Sequence, residues 1–190
     1  MSDPLEPDEN AKSNKRVALL IAVLALLLAF ADLGGGNADN EAVELNVESA
    51  NLWSFYQAKT IRRTSTLIAA EEMELRLPEA TPEQRARLEK RIAEWRATAA
   101  RYESEPETGE GRRELMARAV EATSKREVQK ARGDIFDAAS ALLQIGIVLA
   151  TATIITGAAG LAFGAAGLGV ISVVLMTIAM VAPLSIGSIF

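Results

Sequence analysis

The sequence predicts an all-α membrane protein: an N-terminal transmembrane helix, an elongated, coiled-coil-like helical polar domain, and a C-terminal transmembrane helical hairpin. Three observations predict it. Charge is segregated, because the 190 residues carry 20 Lys and Arg against 25 Asp and Glu, yet every basic residue after Arg16 lies between Lys59 and Arg132 and no charge follows Asp137. An apolar run, "VALLIAVLALLLAFA", directly follows Lys15 and Arg16. Between these apolar ends, apolar residues recur at threes and fours along stretches free of Gly and Pro, the helical period.

The C-terminal stretch is the clearest element. One helix over residues 138–190 would be about 80 Å long, whereas the hydrocarbon core of a bilayer is about 30 Å thick. Two crossings fit, at residues 137–157 and 161–183, with a C-terminal tail at 184–190. Backbone groups in lipid must be satisfied within the segment, which selects helices. The reversal falls in "TGAAGLAFGAAGLG", residues 156–169. Glycine allows the positive φ of a tight turn near Gly157–Gly160. Gly160, Gly164 and Gly167 would share one face, and Gly160–Gly164 is a small-xxx-small pair that lets a neighbouring helix approach closely. Those three glycines are therefore candidate interface residues. Gln144, Ser140, Thr151, Thr153 and Thr156 can hydrogen-bond between helices or to carbonyls of their own helix.

At the other end, residues 1–14, "MSDPLEPDENAKSN", are too polar to fold alone and predict a disordered tail. Residues 15–33 have two readings. A basic start, a short apolar run and Ala29-Phe30-Ala31 suit a cleavable signal peptide; a retained, slightly short transmembrane helix with Arg16 reaching the headgroups suits them too.

The polar domain spans residues 34–136, with helices at about 40–77, 82–104 and 112–136. The first has an imperfect stripe: Val43, Val47 and Ala50, the aromatic cluster Trp53, Phe55 and Tyr56, then Ile61, Thr64, Ile68 and Leu75, up to Pro78. The second has a strong start signal, with Thr81 as N-cap, Pro82 at the first helical position and Gln84 completing a capping box. Leu88, Ile92, Trp95, Ala99 and Tyr102 follow at spacings of 4, 3, 4 and 3, the seam of a helical hairpin or coiled coil. "SEPETGEG", residues 104–111, reads as a loop. The third helix carries Val128, Ala131, Ile135, Ala138, Leu142 and Ile145 in unbroken rhythm into the uncharged stretch, so polar helix and membrane crossing are predicted to be continuous. Trp53, Phe55, Tyr56, Leu88, Ile92, Trp95 and Tyr102 complete the interface candidates.

Chemistry is sparse. The chain has no Cys and no His, which removes disulfides, thiolate and imidazole metal sites, and Ser–His–Asp or Cys–His catalysis. No catalytic residue, metal site or cofactor is predicted, and the protein is read as no enzyme. Glu71, Glu72 and Glu74 lack the Glu-x-x-His partners of a di-metal bundle; a solvated helix face suits them. "ETGEGRRE", residues 107–114, lacks the G-K-[ST] of a phosphate loop. "NLWSFYQAKTIRR", residues 51–63, mixes aromatic and basic groups and suits packing or contact with a lipid interface; nucleic acid is not an expected partner. Asp134 and Asp137 read as carboxylates at headgroup level. With no charge in residues 138–190, an ion-coupled pump lacks its relay.

Basic residues Lys12, Lys15 and Arg16 flank the first apolar segment on its N-terminal side and only acids follow it, so the N-terminus stays in the cytoplasm. The polar domain then lies outside, in the periplasm of a Gram-negative source. Arg118, Lys125, Arg126, Lys130 and Arg132 run against this rule; long loops partly escape it.

"NKRVALLIAVLALLLAFAD", "ESANLWSFYQAKTIRRT", "RYESEPETGEGRRELMARA" and "ASALLQIGIVLAT" together resemble bacterial membrane proteins catalogued as domain of unknown function 4337. The resemblance implies a small bacterial membrane protein with a retained first helix and a C-terminal apolar pair; the inner membrane is the location expected from the residues. It implies no activity, cofactor or catalytic residue. The partners expected from the residues are the lipid bilayer, further copies of the chain as a homo-oligomer, and an unidentified membrane or periplasmic protein. The expected function is a self-associating scaffold; a passive pore or transport accessory built from oligomerised hairpins is the alternative.

Overall fold

A computed structural model describes residues 9–185. Among them are four α-helices and two short 3₁₀ turns: α1 (Glu9–Leu75), a turn at Leu77–Glu79, α2 (Pro82–Glu103), α3 (Arg112–Thr156), α4 (Ala159–Val181) and a turn at Pro183–Ser185. No described residue lies in a strand. The tails expected at 1–14 and 184–190 fall largely outside these residues; within them, α1 is already helical at Glu9. The chain divides into two compact units, one of the described residues up to Val43 and from Arg126 onward, the other Glu44–Lys125.

In the first unit, α1, α3 and α4 pack around small and branched side chains: Val17, Leu24, Ala31, Ile135, Leu143 and Ala165 are buried. Among the described residues, three helices are long and apolar enough to cross a membrane. The reversal between α3 and α4 is two residues long. Gly157 takes φ 71°, a left-handed conformation that a Cβ disfavours, and its N–H bonds to the Thr153 carbonyl at 2.9 Å.

One expectation needs correction in this unit. A separate membrane helix at 15–33 followed by a new helix near Asn40 is replaced by one helix of 67 residues, which passes through Gly34, Gly35 and Gly36 without a break. The reason is packing. A Cβ on Gly34 would lie 2.7 Å from two carbons of the Phe136 ring, so the missing side chain is the space the ring occupies. Glycine in a helix interior costs about 1 kcal/mol relative to Ala; the ring contact offsets it. Within the chain, Gly160, Gly164 and Gly167 make no close helix contact. Gly160 and Gly167 have open space where a Cβ would be, and at Gly164 only Leu149 Cδ1 comes near, at 3.9 Å. Instead Gly169 receives Leu24, whose Cδ2 would lie 2.7 Å from an added Cβ, and Leu24 is 1% exposed.

Polar groups of this unit are tied locally. Ser140 Oγ donates to Asp32 Oδ1 at 2.8 Å. Ser172 Oγ lies 3.1 Å from the Ala139 carbonyl across the helix pair and 2.9 Å from Leu168 O of its own helix. Thr151, Thr153 and Thr156 donate to carbonyls four residues back. Arg132 Nε donates to the Ala179 carbonyl at 3.2 Å, satisfying one of the acceptors a helix end leaves unpaired.

The second unit holds the end of α1, all of α2 and the start of α3. Thr81 caps α2 as a capping box, its side chain accepting from the Gln84 N–H while the Gln84 side chain accepts from the Thr81 N–H. Leu52, Leu115, Ala119 and Ala122 form a small buried cluster with Trp53 and Tyr56 packed on it. Here the expected stripe of α1 is corrected: Val43, Val47, Ile61, Ile68 and Leu75 are exposed. The face turned inward carries Ser49, Leu52, Lys59 and Ala70, all buried.

Candidate functional site

The second unit gathers its polar side chains where α1 meets the α2–α3 loop. Tyr56, Lys59, Thr60 and Arg63 lie one turn apart along α1, the spacing that puts side chains on one face. Opposite them stand Tyr102 and Glu103 at the end of α2, Glu110 in the loop, and Arg112 and Arg113 in the first turn of α3. Gly109, at φ 67°, lets the loop turn back toward α1.

Glu103 is the hub. Arg112 Nη1 donates to its Oε2 at 2.6 Å and Arg113 Nε to its Oε1 at 3.4 Å. Arg63 Nε is 3.1 Å from Oε2 but off the line of a hydrogen bond, an ion pair only. Burial pushes the Glu103 carboxyl up, yet Arg112 and Arg63 beside it, with the bonds from Arg112 and Arg113, outweigh this and hold it below the usual carboxylate range. Arg112 also donates to Thr60 Oγ1 and to the Tyr56 hydroxyl, each at 2.9 Å, and its guanidinium carbon lies 5.0 Å from the Tyr56 ring centre. Burial would lower the Arg112 pKa; Tyr56 and Glu103 raise it instead.

Around this hub the same economy repeats. Lys59, 8% exposed, pairs with Glu110 at 3.5 Å and lies 5.5 Å from the Tyr102 ring centre. Glu114 accepts from Ser104 Oγ at 2.6 Å and from the Glu105 N–H at 3.2 Å. The Ser104 bond, against partial burial, holds its carboxyl low. Charge-assisted bonds of this kind are short and strong, and Glu103, Arg112 and Glu114 spend their polar side-chain atoms on other members of the cluster. The bonds and ion pairs tie the loop to α1.

The sequence-predicted interface residues separate into three groups. Trp53 and Tyr56 are half-buried and meet edge to face with ring centres 5.5 Å apart, while Phe55 points outward at 48% exposure. On α2, Ile92 is buried and Leu88, Trp95 and Tyr102 are half-buried, so much of the seam of α2 is already used within the chain. On α4, Gly160, Gly164 and Gly167 remain exposed. Glu103, Arg63 and Arg112 were missed; the signal that could have found them was the mix of aromatic and charged residues in both "NLWSFYQAKTIRR" and "YESEPETGEGRRE", which the fold brings together. Glu74 pairs with Arg96 at 2.6 Å, Glu71 and Glu72 face outward, and no acidic group among the described residues is arranged to hold a metal ion. Gln144 is exposed.

A family model described as "Domain of unknown function (DUF4337)" matches residues 13–182. No curated protein and no solved structure matches the chain.

Proposed function

The chain belongs to the family of domain of unknown function 4337, and from that premise we propose that it is a non-enzymatic, three-span protein of the bacterial inner membrane that acts as a self-associating scaffold. The N-terminus is cytoplasmic and the polar unit lies on the outer side. Retention of residues 15–33 is supported by Leu24 and Ala31, both buried among α3 and α4 side chains; cleavage after Ala31 would strip that core.

Gln144 carries the self-association. Its side chain is exposed on the apolar half of α3 and takes no hydrogen bond from any described residue. An amide facing hydrocarbon without a partner costs roughly 2–7 kcal/mol, and interhelical amide bonds in lipid are worth up to about 2 kcal/mol. A second copy supplies the partner. Donor- and acceptor-labelled copies reconstituted in liposomes will show energy transfer above that of randomly mixed proteins, and Gln144→Leu will lower it. Transfer at the random level for the unaltered chain would remove the scaffold reading.

A second reading has its own observation. Thr151 lies two turns from Gln144 and is also exposed, so copies that turned this row inward would line a passive, uncharged pore. Ion flux across liposomes holding the purified protein favours the pore; tight liposomes that still show energy transfer favour the scaffold.

A further inference from the structure

Among the described residues, the ion pairs of the second unit are one to one except at Glu103. Lys59 meets Glu110, Arg96 meets Glu74, Arg101 meets Glu105 and Lys125 meets Glu121, whereas Arg63, Arg112 and Arg113 share the single Glu103 carboxylate. Arg112 spends all three nitrogens, on Thr60, Glu103 and Tyr56. The other two are poorly served. Arg63 Nε is buried 3.1 Å from Oε2 yet makes no hydrogen bond, and Arg113 Nε reaches Oε1 only at 3.4 Å, beyond the usual range of such bonds. The Nη atoms of both bond no described residue. With side chains 34% and 74% exposed, these forks reach solvent while their Nε ends meet at Glu103. A buried donor without an acceptor calls for a partner.

We infer that Arg63 and Arg113 together bind a phosphate group, with Glu103 and Arg112 as the fixed base that presents them; the site is independent of the self-association proposed above. Span fits first. Two Nε atoms set on the two oxygens of one carboxylate, at 3.1 and 3.4 Å, lie within about 9 Å of each other. A phosphate with oxygens about 2.5 Å apart, bonded at about 2.8 Å on each side, bridges about 8 Å between nitrogens. Guanidinium forks also match phosphate oxygens two at a time, which an ammonium cannot do.

Charge fits next. Three guanidiniums on one carboxylate leave positive charge in excess. Glu114, beside Arg113 in the chain and held by Ser104 Oγ and the Glu105 N–H, offsets part of it, and exposed Arg62 and Glu107 offset each other. One guanidinium charge remains, at a place where solvent and ligand can enter. A phosphate monoester carries about −1.5 to −2 charges near pH 7 and three acceptor oxygens, enough to serve both forks at once. The turn at 107–114 lacks the lysine and hydroxyl that cradle a nucleotide's phosphate chain, so a single phosphate group is the fit. Free phosphate and a phospholipid headgroup share that chemistry.

The full chain, purified in a neutral detergent, is titrated calorimetrically at low salt with inorganic phosphate and, separately, with dihexanoyl phosphatidic acid below its micelle concentration. At least one binds saturably. Arg113→Gln and Arg63→Gln each weaken that binding about tenfold, the loss expected for one charged hydrogen bond, and Arg113→Lys, which keeps the charge without the fork, recovers only part. Arg87→Gln, whose partner is Glu83, binds as the unaltered chain does. Binding of the lipid analogue tenfold or more tighter than inorganic phosphate supports the site and assigns it to a headgroup; a smaller difference supports it and assigns it to free phosphate. Because Arg113 is largely exposed, its variants keep their helix content and remain a clean test where Arg63→Gln loosens the hub. No saturable heat with either ligand, unweakened binding in Arg113→Gln, or an equal loss in Arg87→Gln overturns the site, and energy transfer between copies is untouched by that result.

Discussion

Replacing Gly34 and Gly36 by Ala, one at a time, separates a continuous α1 from a chain broken at its glycines. In a helix interior each substitution gains up to about 1 kcal/mol. At Gly36 nothing lies within 4 Å of the added Cβ, so the gain is kept. At Gly34 the methyl would sit 2.7 Å from the Phe136 ring, about 1 Å inside ordinary carbon contact, and the ring, 2% exposed, has nowhere to go. Overpacking of this kind costs about 1–3 kcal/mol, which leaves Gly34→Ala a net loss of up to about 2 kcal/mol. Thermal unfolding of the full chain in detergent, followed by circular dichroism, reads the difference. At roughly 2–4 °C per kcal/mol for a chain of this size, Gly36→Ala raises the midpoint by a few degrees and Gly34→Ala lowers it by several. Phe136→Leu in the Gly34→Ala background recovers part of the loss. Equal shifts for the two alanines, or no recovery, would refute the packing argument.

Four further outcomes follow from the same structure. Glu103→Gln leaves Arg112 without its charged partner and lowers stability by about 1–3 kcal/mol, seen as an earlier loss of helix signal in urea. Because the Glu103 carboxyl is held below the usual carboxylate range in the folded chain by Arg112 and Arg63, against the effect of burial, its contribution is present above the unfolded pKa and fades as pH falls through the folded one; unfolding midpoints from pH 6 to pH 3 will drop less steeply in Glu103→Gln than in the unaltered chain. Gly157→Ala forces a Cβ into the left-handed conformation at the α3–α4 reversal, a cost of about 1–2 kcal/mol, measurable as a lower thermal midpoint. Thr81→Ala removes the cap of α2 at about 0.5–2 kcal/mol, and hydrogen exchange should quicken in the first turn of α2 before it does in α3.

What could be read from the residues divides along a physical line. The start of α2 was legible because a capping box is local chemistry: Thr81, Pro82 and Gln84 need no distant partner. Apolar length was legible for the same reason, since the bilayer is a solvent of known thickness. Periodicity was legible but its direction was not. Val47, Ile61 and Ile68 mark a face of α1, yet spacing cannot say whether α2, α3 or nothing in the chain covers it, and the inward face turned out to be the one holding Lys59 and Ser49. Glycines were the least legible. Gly34 reads as a breaker until Phe136 is known to occupy its missing side chain, and Gly169 differs from Gly160 and Gly167 only because Leu24 points at it. The polar cluster was half visible: its two stretches stood out as mixtures of aromatic and charged groups, but Glu103 as the acceptor from Arg112 and Arg113 and the ion-pair partner of Arg63 exists only once α1 and the loop are brought together.

Accessibility of single cysteines in intact bacterial cells tests three crossings and their sidedness at once. With an impermeant thiol reagent, Ser104→Cys in the polar unit is labelled before lysis, and Ala158→Cys at the α3–α4 reversal is labelled only after it. Labelling of both positions in intact cells, protection of Ser104→Cys, or recovery of the chain in the soluble fraction without detergent would contradict the account.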